Sequence, residues 1–152
     1  MSLRSELESL VDCSFSSKCS EGKKAFNEVD SYLRSLGRDG LSAMDATLLL
    51  CISVMRADYD FSDTEILFLG EVSGNIQPYT TKDDWLDHII PEIRRDEHGY
   101  IAWRIRELEE APLEIRRSAM LLICLAAVCD HELSYAEISE VERWMNKLSL
   151  IL

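Results

Sequence analysis

Two short acidic segments of this chain share one pattern of residue types and lie 72 residues apart. In each segment an apolar run ends in an acid, a second acid follows two positions later, and a hydrophobic residue, a serine and a glutamate complete the pattern. The corresponding acids are Asp58 and Asp130, Asp60 and Glu132, and Glu65 and Glu137. Carboxylate oxygens are the ligands that hard divalent cations prefer. These acids are therefore candidate ligands for a divalent cation.

The same segments also fit a structural role as helix caps. Asp58 and Asp130 each end a long apolar helix, where the partial negative charge of the helix terminus disfavours an acid by about 0.3–1 kcal/mol. Backbone N–H groups of the following helix would compensate these carboxylates. The Ser-x-x-Glu sequences at 62–65 and 134–137 match the capping box that opens many helices. Capping and cation binding both stay open, although the first segment does not match an EF-hand loop because its turn glycine is missing.

Helical periodicity runs through nearly the whole chain. Apolar residues recur at helical spacing, and no segment alternates convincingly with period two. We therefore predict an all-α fold, a single helical domain built on two pseudo-symmetric helix–acidic turn–helix repeats. N-terminal helices would occupy residues 1–41 and the helical core residues 42–152, in one compact domain overall. The predicted helices span residues 3–12, 21–36, 43–57, 65–72, 81–93, 100–110, 113–129 and 135–148.

Local signals add detail to these elements. The serine- and cysteine-rich segment 13–20 is predicted to be a loop, and Gly37 a C-terminal helix cap. Ser42 is predicted to cap the helix of the first repeat, and Pro91 to end or kink the helix in which it lies. The tryptophans are predicted to be core or helix-packing residues: Trp85, Trp103 and Trp144.

The charge of the chain limits its partners. Its 152 residues carry a formal net charge of −12, so nucleic-acid binding is not expected, because phosphate contacts need a basic surface. The acids concentrate at residues 39–87, which hold ten acids and two bases. Arginines between 94 and 117 alternate with glutamates, which predicts ion pairs on helix surfaces rather than a basic strip.

The cysteines and the apolar runs indicate a cytoplasmic protein. Five cysteines, three of them inside apolar helical runs, are typical of reduced thiols that serve as small core residues. The N-terminus has no apolar signal core, and the longest apolar stretch is shorter than the roughly 20 residues of a membrane span. We expect neither export nor membrane insertion.

The repeated pattern resembles the TerB-like domains of tellurite-resistance proteins and a related domain at the N-terminus of DjlA-type co-chaperones. The segment from Arg56 to Glu65 is the closer match, the segment from Cys129 to Glu137 is the second copy, and the resemblance covers about residues 42–148. It implies a helical domain with pseudo-twofold symmetry in a metal-sensing or stress-response setting.

The resemblance also implies a ligand set. In the family the acidic loop positions have been proposed to chelate metal, and they correspond here to the six acids named above. The family usually has glycine between the two acids, whereas Tyr59 and His131 stand there in this chain. If that position has a positive φ, both residues incur strain, and histidine incurs less than tyrosine. His131 is itself a further candidate ligand.

We expect a non-enzymatic TerB-like module that acts in protein interaction or divalent-metal sensing and has a protein as its partner. The alternative is an acidic immunity or inhibitor protein that neutralises a basic toxin or nuclease through its acid-rich segment at 39–87. A metal-dependent hydrolase is a weaker alternative, because no general base or nucleophile is identifiable. No cofactor other than a divalent cation is expected, and the residues do not indicate an oligomeric state.

Overall fold

The computed structural model describes residues 3–37, 40–55, 61–74 and 81–150. These residues form helices and short connections without any strand, which confirms the prediction of an all-α fold for this part of the chain. The elements are α1 Leu3–Val11, α2 Phe15–Ser35, α3 Gly40–Met55, α4 Asp63–Ser73, α5 Lys82–Asp84, a π-helical turn Trp85–Ile89, α6 Ile90–Arg95, α7 Tyr100–Glu109, α8 Leu113–Val128 and α9 Tyr135–Lys147.

The predicted loop at 13–20 is wrong, because α2 begins at Phe15. Ser14 caps the helix, and its hydroxyl accepts a hydrogen bond from Ser17 N over 3.1 Å. Serine and cysteine have only modest helix propensity, so the local sequence gives a weak helical signal here. The far end matches the prediction, since Gly37 has a φ of +89° directly after the C-cap and its N–H donates to Arg34 O.

Ser42 is not the cap of α3, because that helix already begins at Gly40 and Ser42 lies buried inside it. Its hydroxyl accepts a hydrogen bond from Nε of Arg104, whose side chain is 0% exposed. The same guanidinium donates to Leu33 O over 2.6 Å and to Gly37 O over 2.7 Å. Arg104 therefore ties α7 to the end of α2 and the start of α3.

The helical run that contains Pro91 does not end there, and a kink at this residue stays a prediction. Ile90 N donates to Trp85 O, five residues back, and the π-helical turn directly precedes the proline. Since proline has no N–H to continue the ladder, a local widening to π geometry lets the run from 82 to 95 stay helical. Trp85 and Trp144 are buried as predicted, whereas Trp103 is 47% exposed.

The core forms around α3 and α8, which pack against each other and are apolar over most of their surfaces. Side chains of α1 and α2 belong to the same hydrophobic cluster as α3, α4 and α8. Gly22 allows close packing of α2 on α4, since a Cβ there would lie 2.8 Å from Val72 Cγ1 and 3.1 Å from Phe68 Cζ. The pseudo-symmetric relation of the repeats and the boundary at residue 41 stay predictions.

In the described part of the chain, none of the helices has both the length and the apolar character that crossing a membrane requires.

Candidate functional site

Both predicted capping boxes are present, and they use the two glutamates of the acidic pattern. Ser62 Oγ accepts from Glu65 N over 3.1 Å, while Glu65 Oε1 accepts from Ser62 N over 2.8 Å. Ser134 and Glu137 repeat the exchange at 3.1 Å and 2.9 Å. Each glutamate is only 2% exposed. One oxygen of each carboxylate is therefore committed to holding the first turn of α4 or α9.

The second acidic connector, residues 129–134, turns on itself before α9 begins. Asp130 Oδ1 accepts a hydrogen bond from Glu132 N over 3.1 Å, so its carboxylate binds within the connector rather than to N–H groups of α9. Glu132 is exposed. Asp58, Tyr59 and Asp60 of the first connector lie outside the described residues.

His131 lies in the left-handed backbone region, with a φ of +64°. It is the position at which the resemblance to TerB-like domains predicts glycine. Histidine tolerates this conformation better than most residues other than glycine do. Its N–H donates to Val128 O, which closes the turn after α8. A positive φ at this position predicts backbone strain for any residue other than glycine, and His131 has that positive φ.

A buried lysine from α2 holds the His131 ring. Lys18 is 1% exposed, and its Nζ donates to Val11 O over 3.0 Å and to Val128 O over 2.8 Å. Nδ1 of His131 lies 3.0 Å from this ammonium and 2.9 Å from Val11 O. The partial negative charge at the ends of α1 and α8 favours a cation here. Burial nevertheless lowers the pKa of Lys18, and nearby thiols and acids partly oppose that shift.

This contact bears on His131 as a candidate metal ligand. Because Nδ1 is in contact with an ammonium and a carbonyl, a cation would have to displace both to reach it. Only Nε2 is left outside this contact network. The structure thus assigns the ring a role in joining α1, α2 and α8.

The interior next to the connectors contains the Cys129 thiol. Burial raises its pKa first, and the carboxylates of Glu65, Asp130 and Glu137 raise it further. Glu65 and Glu137 therefore both act electrostatically on this thiol. Among the described residues, however, no three His, Cys, Asp or Glu side chains group as a metal site requires. The six-acid ligand set stays a prediction, since two of its members are not described.

A groove that the sequence does not predict lies between α7 and α9. We call it the α7–α9 groove; its volume is about 1030 Å³, and α3, which packs against α6, α7 and α9, supplies part of its floor. Beneath its surface lie the buried side chains of Ile52, Ile101, Ile105 and Trp144, and the apolar lining residues with exposed surface are Leu49, Ala102 and Ala136. The charged lining residues are Arg94, Asp96, Arg106, Glu109, Glu140, Arg143 and Lys147.

Every acid in this groove is already engaged within the chain. The Asp96 carboxylate accepts from the backbone N–H groups of Ile101 and Ala102, at 3.0 and 2.9 Å, and so caps α7. The other two acids form ion pairs, Glu109 with Lys147 at 3.8 Å and Glu140 with Arg143 at 2.5 Å.

The arginines of the groove are not all engaged. Arg94 and Arg106 are exposed and form no ion pair with any described carboxylate. The groove is therefore locally cationic in a chain with a net charge of −12. The sequence shows the interleaved arginines and glutamates of 94–117, but it does not show which acids are already engaged.

A comparison of the chain with protein-family models, with curated proteins and with solved structures finds no match, so the resemblance to TerB-like domains stays a prediction.

Proposed function

We propose that this chain is a non-enzymatic helical module that binds a protein partner through the α7–α9 groove. The observation that carries the proposal is the pair of exposed arginines, Arg94 and Arg106. They line the same groove as the apolar side chains of Leu49, Ala102 and Ala136, which are at least partly exposed. Exposed cations without acidic partners are available to a ligand, and an apolar patch between them adds contact area.

Several features support a binding role over catalysis. No histidine, serine or cysteine stands in a recognisable nucleophile motif of the sequence. Burial raises the pKa of the Cys51 and Cys129 thiols, which suppresses the thiolate that a cysteine nucleophile needs. The free thiols agree with a reducing compartment, and we place the protein in the cytoplasm. The TerB-like resemblance adds a stress-response setting to the proposal.

Photocrosslinking in the native host tests the groove. A photoreactive amino acid is introduced at Ala102, which lines the groove, or at Leu67, which is 59% exposed on α4 away from it. We expect one discrete adduct from Ala102 and none from Leu67. Arg94→Glu combined with Arg106→Glu should abolish the adduct, because the reversed charges repel the partner.

Arg95→Glu is the matched control. Arg95 is exposed and adjacent to Arg94 in the last turn of α6, but it does not line the groove. Arg94→Glu and Arg95→Glu disturb the charge at the α6 terminus equally. Because Arg94 lines the groove and Arg95 does not, only Arg94→Glu should weaken binding. Equal loss in both variants contradicts the proposal. An adduct from Leu67 but not from Ala102 would favour the inhibitor alternative, because Leu67 lies in the acid-rich segment 39–87.

A further inference from the structure

Resting on the proposed function of the α7–α9 groove, we infer that its occupant is an amphipathic α-helix of the partner protein, with an apolar face and acidic flanks. Three features of the groove specify this class of ligand: two exposed arginines that pair with no described carboxylate, walls built from helices, and its length.

The charge of the groove specifies acids. Asp96, Glu109 and Glu140 are held by a helix N-terminus or by an ion pair, so they offer little to a cationic ligand. Arg94 on α6 and Arg106 on α7 have guanidinium groups that pair well with carboxylates. A ligand with carboxylates on its flanks would satisfy both arginines.

The lining of the groove favours a helix over an extended peptide. Its walls are helices, and the described part of the chain has no strand edge to which an extended segment could add. The Ser53 hydroxyl on the floor is already engaged, because its Oγ accepts from Trp144 Nε1 over 2.7 Å and donates to Leu50 O over 3.0 Å. An extended peptide would therefore leave backbone N–H and C=O groups unpaired against Leu49, Ala102 and Ala136, whereas a helix pairs its own.

The dimensions of the groove agree with such a ligand. Its lining residues run from Ile101 to Glu109 along α7 and from Ala136 to Lys147 along α9. At the rise of 1.5 Å per residue these stretches extend about 12 and about 16 Å, or two to three turns of a docked helix. A trough of this length, open to solvent along α7 and α9, suits a peptide better than a small molecule, which needs an enclosing pocket.

A displayed peptide library tests the inference. The library consists of helical peptides of about three turns with fixed apolar residues at i, i+3, i+4 and i+7, and with flanking positions that vary among Glu, Gln and Lys. Selection on the intact protein should enrich Glu at the flanks. The affinity of selected peptides, measured by calorimetry, should fall about tenfold in a chain with Arg94→Gln and Arg106→Gln, because two exposed ion pairs are lost. Arg95→Gln should leave the affinity unchanged.

The outcomes separate this inference from the proposed function. Ala102→Trp obstructs the groove, so peptides that bind there must lose affinity in this variant. Some selected peptides could lose affinity in Ala102→Trp and yet be rich in Lys, or stay non-helical by circular dichroism when bound. That result would overturn the inference of an acidic helix, while the proposed binding function of the groove would stand. Failure to select any peptide that Ala102→Trp weakens overturns both.

Discussion

The capping serines provide the sharpest separation of capping from cation binding. In Ser62→Ala and Ser134→Ala, each chain loses one hydroxyl that accepts from an N3 backbone N–H at 3.1 Å. The glutamate half of each box survives, because it binds a backbone N–H that alanine retains. Each substitution should cost about 1 kcal/mol. In a chain of 152 residues this lowers Tm by about 2–4 °C, and the double variant should lose about 4–8 °C.

The matched variants Glu65→Gln and Glu137→Gln keep the caps but remove the charge. An amide oxygen still accepts from the serine N–H, so we expect each of these variants to lose less than 1 kcal/mol. Unfolding is followed by far-UV circular dichroism in chelator and at saturating Ca²⁺, Mg²⁺ or Zn²⁺. If the connectors only cap helices, the cations shift no Tm.

A cation site gives the opposite pattern. A cation at about 100 times its Kd stabilises the folded chain by about 2.7 kcal/mol. The capping explanation of the acidic pattern would be refuted if a cation stabilised the wild-type chain and the serine variants by that amount but did not stabilise Glu65→Gln or Glu137→Gln.

Three further predictions concern packing and accessibility. Gly22→Ala should destabilise the chain by about 1–3 kcal/mol in urea unfolding despite better helix propensity. Val72→Ala removes the 2.8 Å overlap but also deletes buried methyl groups, so the double variant should lose less than the sum of the two single losses. Arg104→Met should cost about 3–5 kcal/mol of unfolding free energy in the same assay, because Ser42 Oγ and the carbonyls of Leu33 and Gly37 lose their donor. A loss below about 1 kcal/mol would count against the role of Arg104 in joining the helices. Cys51 and Cys129 are fully buried, and burial raises the pKa of both thiols. Mass spectrometry after iodoacetamide treatment at pH 8 should therefore find both cysteines unmodified until the chain unfolds. Modification of either thiol in the native state would contradict its burial.

Local signals predicted the parts of the fold that depend on residues close in sequence. The capping boxes need only a serine and a glutamate three positions apart, so their sequences correctly identified the N-terminal caps of α4 and α9. The start of α2 was missed because part of what holds it is distant: Lys18 binds Val128 O, 110 residues away. The start of α3 was misplaced for a similar reason, since Ser42 accepts from Arg104, 62 residues later.

The candidate site divides in the same way. The acids of the connectors were visible as a repeated pattern, but whether a carboxylate binds a cation or a backbone N–H depends on geometry that residue types do not specify. The α7–α9 groove was missed because Arg94 and Arg106 look no different in sequence from Arg104, which is buried and fully engaged. Only the three-dimensional pairing of each arginine distinguishes a structural tether from a group open to a partner.

His131 shows how the N-terminal helices shape the acidic connector. A non-glycine residue in the left-handed region costs about 1–2 kcal/mol. One hydrogen bond of Nδ1, either accepting from Lys18 Nζ or donating to Val11 O, opposes that cost. Those contacts also place an ammonium 3.0 Å from Nδ1, so a divalent cation bound through that atom would meet a like charge inside the protein. A cation at this connector would therefore have to be held without Nδ1, and among the described residues no three His, Cys, Asp or Glu side chains group as a metal site requires. Since Glu137 Oε1 already accepts from Ser134 N, capping makes fewer demands on the residues present than a cation site does.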